Sequence, residues 1–519
     1  MSGNTEAPTV LAFTLYFVVV LIIGVWAYRK NSEMSDFAIG GRRLGTFVTA
    51  VSAKASDSSQ WVFLGLPGAF YVSGMSNIWM ILGLTLGFYL SWRLLAARLR
   101  DYSARCYDWR RGQGTESVTV PGFFANRFHS ELLRSVSALI VIIFYVIYLG
   151  SAFLATGMIF NQVFGVSTTV GVIVGALVVM VYSSLGGFLA SSYTDVLQGC
   201  LMFGSLAIIS VAAVVHAGGP GAIVEAVQAE NPSIGSAFAE VSLVDGAWLT
   251  ESSFTVVAAV SGLAWAFGYF GLPHILARFM GMRSSKSAKN GARLGVFLSL
   301  TLLGFAAIIG FSAIAIFGGD LDSPENAYME LVSGLLPTWI AGVFLAGVVA
   351  AVMSTADSQL VVASTTLTED FYRAFINKEA SDRSLVWLSR AAVGLSTVIG
   401  VAIALQGGTI LDLVGYAWAG FGAAFGPVLL AALYSRRTTW FGALCGMVGG
   451  GLTVVVYRQI DTIGLYELVP GFLVGVLALW LGNTLGPRPG DAMQRSFDQL
   501  SQDTPVTIGS SPSATTTSS

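Results

Sequence analysis

The chain has 519 residues, 54% of them hydrophobic and only 11% charged, with a mean hydropathy of +0.72. A soluble domain carries about 25% charged residues, so a soluble globular protein is excluded. The net charge of −2 gives no basic face for nucleic acid, and the dispersed Cys106, Cys200, Cys445, His129, His216 and His274 lack the spacing of a disulfide framework or a zinc site.

A helix crosses a bilayer with about 20 apolar residues. The sequence predicts about thirteen spans, near 8–28, 46–73, 77–98, 135–161, 166–189, 193–215, 253–278, 292–318, 337–366, 386–405, 409–434, 439–457 and 466–484. The class is therefore an all-α integral membrane protein. The stretches 170–181 and 341–352 are continuously apolar or glycine, which argues against an alternating β-barrel. The first apolar run is too long for a cleaved signal and is followed by Arg29 and Lys30.

Alternate loops are basic. Arg29, Lys30, Arg42 and Arg43 follow span 1, and a series from Arg98 to Arg134 lies around spans 3 and 4. Arg278, Arg283, Lys286, Lys289 and Arg293 follow span 7; Arg373, Lys378, Arg383 and Arg390 lie around spans 9 and 10; Arg436 and Arg437 follow span 11. The opposite segments 216–252 and 318–336 contain acidic residues and no Lys or Arg, with Arg458 the single exception on that side. The positive-inside rule then places the N-terminus outside and the C-terminus in the cytoplasm of a plasma-membrane protein. The polar, Ser/Thr-rich residues 489–519 read as a disordered cytoplasmic tail.

Span 2 carries Lys54, Ala55, Ser56, Asp57, Ser58, Ser59 and Gln60 between two mostly apolar halves. Charge at that depth costs several kcal/mol, and such residues face cavities and carry function. Successive serines cannot share one helix face, so the backbone is expected to unwind here and present carbonyls to an ion. Span 7 has Gly262, Gly268, Gly271 and Pro273, and its Trp265 and Tyr269 lie four residues apart. Span 7 follows span 2 by five spans. Two broken helices at matching places are the mark of an inverted-repeat secondary transporter, whereas close helix packing with a simple kink is the bland alternative. Asp195, at the start of span 6, is either an intramembrane ligand or an interfacial cap. Ser354, Thr355, Asp357 and Ser358 in span 9 form an oxygen cluster suited to a hard cation.

These residues resemble the sodium/solute symporter family over nearly the whole chain. The resemblance rests on Gly40-Gly41-Arg42, Ala55-Ser56-Asp57, Gly65-Leu66-Pro67-Gly68-Ala69, Gly268-Tyr269-Phe270-Gly271, Pro273-His274-Ile275-Leu276-Ala277-Arg278-Phe279-Met280, Ala350-Ala351-Val352-Met353-Ser354-Thr355 and Tyr416-Ala417-Trp418-Ala419-Gly420-Phe421-Gly422. It implies a LeuT-like core of two inverted five-helix repeats, at 46–216 and 253–434. Residues 1–45 precede it, an outer loop at 217–252 joins the repeats, and two further spans at 435–488 follow. It also implies sodium-coupled uptake of L-proline or a similar small amino acid.

The implied sodium ligands are the backbone oxygens of Ala55, Ser58 and Ala351 and the hydroxyls of Ser354 and Thr355. Some members hold a second sodium near the positions of Asp195, Asp357 and Ser358, all of which can ligate here. The implied substrate contacts are Asp57, Ser59, Tyr148, Trp265, Tyr269 and Pro273, joined by Gln60 in the same pocket, and Arg42 matches a cytoplasmic-side arginine that influences ion access.

Lys54 and Gln60 depart from the family's small residues. Gln60 adds volume and a donor–acceptor pair to the pocket. Lys54 pairs with Asp57 at i,i+3, substitutes for an ion, or points away and snorkels. Another cargo on the same fold, or proton-coupled or sodium-independent transport, are the rivals. The spans contain no nucleophile–base pair or metal cluster, which argues against an enzyme. A kinase-coupled sensor needs a large soluble domain after the last span. The only partners implied are the small solute and the lipid bilayer, and nothing in the sequence requires a partner protein.

Overall fold

The computed structural model describes residues 10–16, 18–19, 22, 34–108, 113–251 and 256–501. They are helical almost throughout, as expected, with two short antiparallel hairpins: β1 (Cys106–Asp108) with β2 (Gln113–Thr115), and β3 (Val241–Val244) with β4 (Ala247–Thr250). The helices that frame the site are α1 (Thr46–Asp57), α2 (Leu66–Ser73), α3 (Ile78–Ser91), α4 (Glu131–Phe164), α5 (Thr168–His216), α6 (Val256–Gly268) and α7 (Pro273–Met280). They continue with α8 (Ala288–Phe317), α9 (Thr338–Thr365), α10 (Ile410–Tyr434), α11 (Trp440–Ile460), α12 (Leu468–Leu485) and α13 (Asp491–Ser501).

Among the described residues, ten helices are long and apolar enough to cross a membrane, so the expected count of thirteen is not reached. Span 1 lies mostly outside the described residues. The second half of span 2 and span 3 form one helical run, Trp61–Ala104. The spans expected at 166–189 and 193–215 join in the single helix α5 with no non-helical linker.

Both expected interruptions are present. α1 ends where Ser58 leaves the helical region at φ −79° and ψ 76°. The chain re-enters a helix at Gln60 through a widened π-turn, Trp61–Gly65, just before Pro67. Proline has no N–H to donate to the preceding turn, and a widened turn relieves its clash there. In span 7, Gly268 closes α6 and Pro273 opens α7, with Leu272 extended between them. A Cβ on Gly271 would lie 2.0 Å from the Phe421 carbonyl oxygen of α10, so only glycine fits where the break meets that helix.

Glycines also set the approach of α3 to α6. A Cβ on Gly83 would lie 2.4 Å from the Gly262 oxygen, and one on Gly87 2.4 Å from Ala266. This small-xxx-small pairing lets two backbones touch where lipid offers no hydrophobic drive for association.

The tail expectation is corrected at its start. Residues 491–501 are the helix α13, because Met493 and Phe497 bury against the protein. Phe497 packs edge-on to Tyr102 at 6.2 Å and lies under the Arg127 guanidinium at 4.5 Å, while Asp498 pairs with Arg436 at 2.8 Å. Residues 502–519 lie outside the described residues.

The α3–α6 contact predicts that Gly83→Leu overpacks the seam. The expected cost is about 1–3 kcal/mol, read as a lower thermal midpoint of the purified protein in detergent. An unchanged midpoint would show that these helices have room to separate.

Candidate functional site

The polar heptad of span 2 is buried from Lys54 to Gln60. Lys54 Nζ donates to Asp57 Oδ2 at 2.7 Å, and the Tyr269 hydroxyl donates to the same oxygen at 2.7 Å. The geometry of Lys54 is therefore that of the i,i+3 pair, with its ammonium also 5.3 Å from the centre of the Phe88 ring. Trp61 Nε1 donates to the Asp57 carbonyl at 2.8 Å and so satisfies backbone at the end of α1. One carboxylate thus ties the first broken helix to the second. Asp57 Oδ1, Ser58 Oγ, Ser59 Oγ, Gln60 Oε1 and the Tyr148 hydroxyl are buried and make no hydrogen bond of normal geometry among the described residues. Gln60 Nε2 donates to Ser151 Oγ at 2.7 Å, and Ser151 donates to the Tyr148 carbonyl at 2.7 Å, which fixes the amide against α4.

Trp265 and Tyr269 converge on Trp418 of α10, with ring centroids 5.6 and 4.9 Å away. Trp265 also stacks on Tyr466 at 5.1 Å and 18°. Those two rings border a cavity of about 320 Å³ whose lining includes Asp412, Tyr416, Arg458 and Glu467. Arg458 pairs with Asp412 at 2.6 Å and Glu467 at 3.2 Å, and its guanidinium lies 4.5 Å from the Tyr416 ring centre, so its charge is neutralised locally. Pro273 is buried at the start of α7, where its missing N–H needs no acceptor.

Span 9 meets span 2 through Thr355, whose hydroxyl donates to the Ser56 carbonyl at 2.8 Å. Ala351, Ser354, Thr355, Asp357 and Ser358 are all buried on α9. Ser354 Oγ donates to Asp195 Oδ1, and Ser358 Oγ donates to the Ser354 carbonyl at 2.7 Å. Asp195 is fully buried in the interior of α5 and is not an interfacial cap. Its other oxygen accepts from Ser52 and from Arg278 Nη2, the latter at 2.7 Å. The same Arg278 donates to Ser52 Oγ at 2.7 Å, Ser358 Oγ at 2.6 Å and the His274 carbonyl at 2.8 Å. Asp357 is not joined to Asp195 by any hydrogen bond among the described residues, and its Oδ1 is buried without a partner.

Arg278 is the residue that sequence reading missed. It was counted with the basic loop after span 7, yet it is fully buried. The available signal is the apolar Phe279 and Met280 that continue the helix beyond it. Arg42 lies elsewhere. Its guanidinium binds Glu116 at 3.0 Å, Ser103 and the carbonyls of Met280 and Ser117, and so cross-links three connecting segments away from Asp57.

Two broken helices crossing at a buried carboxylate, with hydroxyls from a third span, define a secondary transporter of the interrupted-helix class. Residues 37–450 match the description "Sodium:solute symporter family", and the chain belongs to that family. It is 39% identical to the sodium/proline symporter of Escherichia coli K12 over 95% of this chain and 96% of that one. It is 38% identical to the osmoregulated proline transporter OpuE of Bacillus subtilis, over 94% and 97%.

A sodium-coupled sialic acid symporter in a substrate-bound, outward-open state shares the fold, with a TM-score of 0.78 at 17% identity over 94% of this chain and all of that one. Mhp1, a nucleobase-cation-symport-1 family transporter in a closed conformation, shares it with a TM-score of 0.55 at 13% identity, over 90% and 99%. The fold class expected from the sequence, a LeuT-like all-α membrane transporter, is the one observed.

Breaking a buried ion pair by removing one partner costs about 3–5 kcal/mol, because the other charge is left uncompensated. Arg278→Gln is therefore expected to destabilise the protein strongly. The double substitution Arg278→Gln/Asp195→Asn should cost less than the sum of the two singles. Equilibrium unfolding in detergent checks this, and strict additivity would show that the two groups do not interact.

Proposed function

We propose that the chain carries L-proline, or a small amino acid close to it, into the cell together with sodium across the plasma membrane. The observation that carries this reading is a cluster of buried polar groups, Asp57 Oδ1, Ser59 Oγ and the Tyr148 hydroxyl, that make no hydrogen bond of normal geometry among the described residues, beside the aromatic wall of Trp265 and Tyr269. Leaving such atoms unpaired costs about 1–3 kcal/mol each. A zwitterion with an apolar ring meets both requirements. Its ammonium faces Asp57, its carboxylate faces the N-terminus of the half-helix that starts after Ser59, and its ring packs on the indole and phenol. Gln60 trims the pocket from the α4 side.

Sodium is held by the carbonyls of Ala55, Ser58 and Ala351 with the hydroxyls of Ser354 and Thr355. Both hydroxyls already donate a proton, to Asp195 and to the Ser56 carbonyl, and a hydroxyl that donates keeps lone pairs for a cation. The second-sodium set is not used, because the Arg278 guanidinium supplies the positive charge that Asp195 needs. One sodium per substrate follows. Bound sodium orders the unwound residues at 58–59 and completes the pocket, so each ligand raises the affinity for the other. The membrane potential adds about 2.3 kcal/mol per charge per 100 mV.

The Lys54–Asp57 pair motivates a second reading in which the ammonium stands in for the ion and transport is sodium-independent. The alternating basic loops support an N-terminus outside and a C-terminus in the cytoplasm, with Arg458 the single exception.

Uptake of radiolabelled L-proline into proteoliposomes separates these readings. The expected result is uptake that requires inward sodium, with a Hill coefficient near 1, and that Asp57→Asn abolishes. Lys54→Gly removes the charge beside the ion, so a several-fold gain in apparent sodium affinity supports the ammonium reading and an unchanged sodium dependence counts against it. Equal uptake with potassium in place of sodium favours the ammonium reading, and no uptake in either medium refutes the cargo.

A further inference from the structure

On the basic side of the molecule, α3 and its continuation meet the N-terminal half of α8 in a cleft of about 710 Å³. Its lining includes Arg93, Lys286, Lys289 and Arg293, together with Tyr89 and Trp92, and contains no acidic residue. All four basic side chains are exposed. Among the described residues none of them has a carboxylate partner, unlike Arg278 or Arg458. Four like charges converging on one cleft repel one another, and a polyanion relieves that repulsion. The Trp92 ring is buried at the cleft's wall, and its Nε1 donor has no acceptor among the described residues.

The surfaces leading away from the cleft are equally specific. Arg93, Tyr89, Leu86 and Leu82 follow one another at helical spacing along α3, with Tyr89 45%, Leu86 49% and Leu82 46% exposed. Lys289, Arg293, Phe297 and Leu300 do the same on α8, with Phe297 61% and Leu300 54% exposed. Each track reads cation, aromatic, aliphatic. From Arg93 to Leu82 the helix rises roughly 16 Å, about half of the ~30 Å hydrocarbon core. That is the profile of one leaflet read from headgroup to chain.

We propose that this cleft binds the phosphate headgroup of an anionic phospholipid of the cytoplasmic leaflet, with its two acyl chains lying along the α3 and α8 tracks. Basic pockets between spans on the cytoplasmic side suit such headgroups. Independently of the transport reading, the cleft connects to the core. Trp92 packs on Phe279 at 4.9 Å and on Phe88 at 6.3 Å, and Phe88 touches both Tyr269 and Lys54.

Native mass spectrometry of the full chain, released from detergent, tests the proposal with three probes: phosphatidylglycerol, phosphatidylcholine of the same acyl chains, and inorganic phosphate. Phosphatidylglycerol should be retained at least tenfold better than phosphatidylcholine, and millimolar phosphate should not displace it. Each basic residue near the headgroup contributes about fivefold in affinity, so Lys286→Gln/Lys289→Gln/Arg293→Gln should weaken phosphatidylglycerol retention on the order of a hundredfold. Arg93→Gln alone should lower it about fivefold. Equal retention of the two lipids by the unaltered protein overturns the proposal without any variant. So does phosphatidylglycerol retention that survives the triple substitution, or displacement by phosphate alone, which would mark a soluble-anion site.

Discussion

A backbone that leaves the helix inside a membrane finds no partner in lipid for its N–H and C=O groups, so it must be buried in protein or line a water-filled cavity. That constraint organises the centre of this molecule. The break after Asp57 is closed by Trp61 Nε1 on the Asp57 carbonyl and by Thr355 on the Ser56 carbonyl. The break after Gly268 is pressed against α10, where Trp418 donates to the Trp265 carbonyl at 3.0 Å and Gly271 abuts Phe421. Broken backbone and ligand-sized polarity are thus confined to the same buried volume.

Two buried ion pairs flank that volume, and they differ in kind. Arg278 is tied by Asp195, Ser52, Ser358 and a carbonyl, so most of its donors are met and the pair acts as a rigid post between α5, α7 and α9. Lys54 has the Asp57 carboxylate and one aromatic face, and Asp57 Oδ1 makes no hydrogen bond among the described residues. A fully satisfied network rigidifies, whereas a buried polar atom left unpaired is costly. The contrast sets a fully satisfied pair against a partly satisfied one within about one helix turn of sequence, since Ser52 serves the first pair and Lys54 belongs to the second.

The connecting segments carry a different economy of charge. Arg458 is neutralised on the spot by Asp412 and Glu467, and Arg42 is locked by four partners, so neither contributes a free cation. The four cations around Trp92 are exposed and have no carboxylate partner among the described residues. Membrane proteins pair charge where it is surrounded by protein and expose it where headgroups are near.

The sequence by itself determined the class of the protein. Long apolar runs, two interrupted spans and alternating basic loops are local properties, and length and periodicity alone express them. It also marked Lys54, Asp57, Asp195 and Ser354, because polar residues inside apolar runs are conspicuous. Partners were beyond its reach. Lys54 with Asp57 is an i,i+3 contact and was among the readings spacing allows. Arg278 with Asp195 joins residues 83 positions apart, and nothing local distinguishes a buried arginine near a span's end from one in a loop. Tertiary structure alone decided that this guanidinium faces inward and pairs with Asp195. It likewise joined α13 to the body through Phe497, which composition had assigned to a disordered tail. Polarity is written residue by residue, whereas the energy of a buried charge depends on which side chain from another helix arrives beside it.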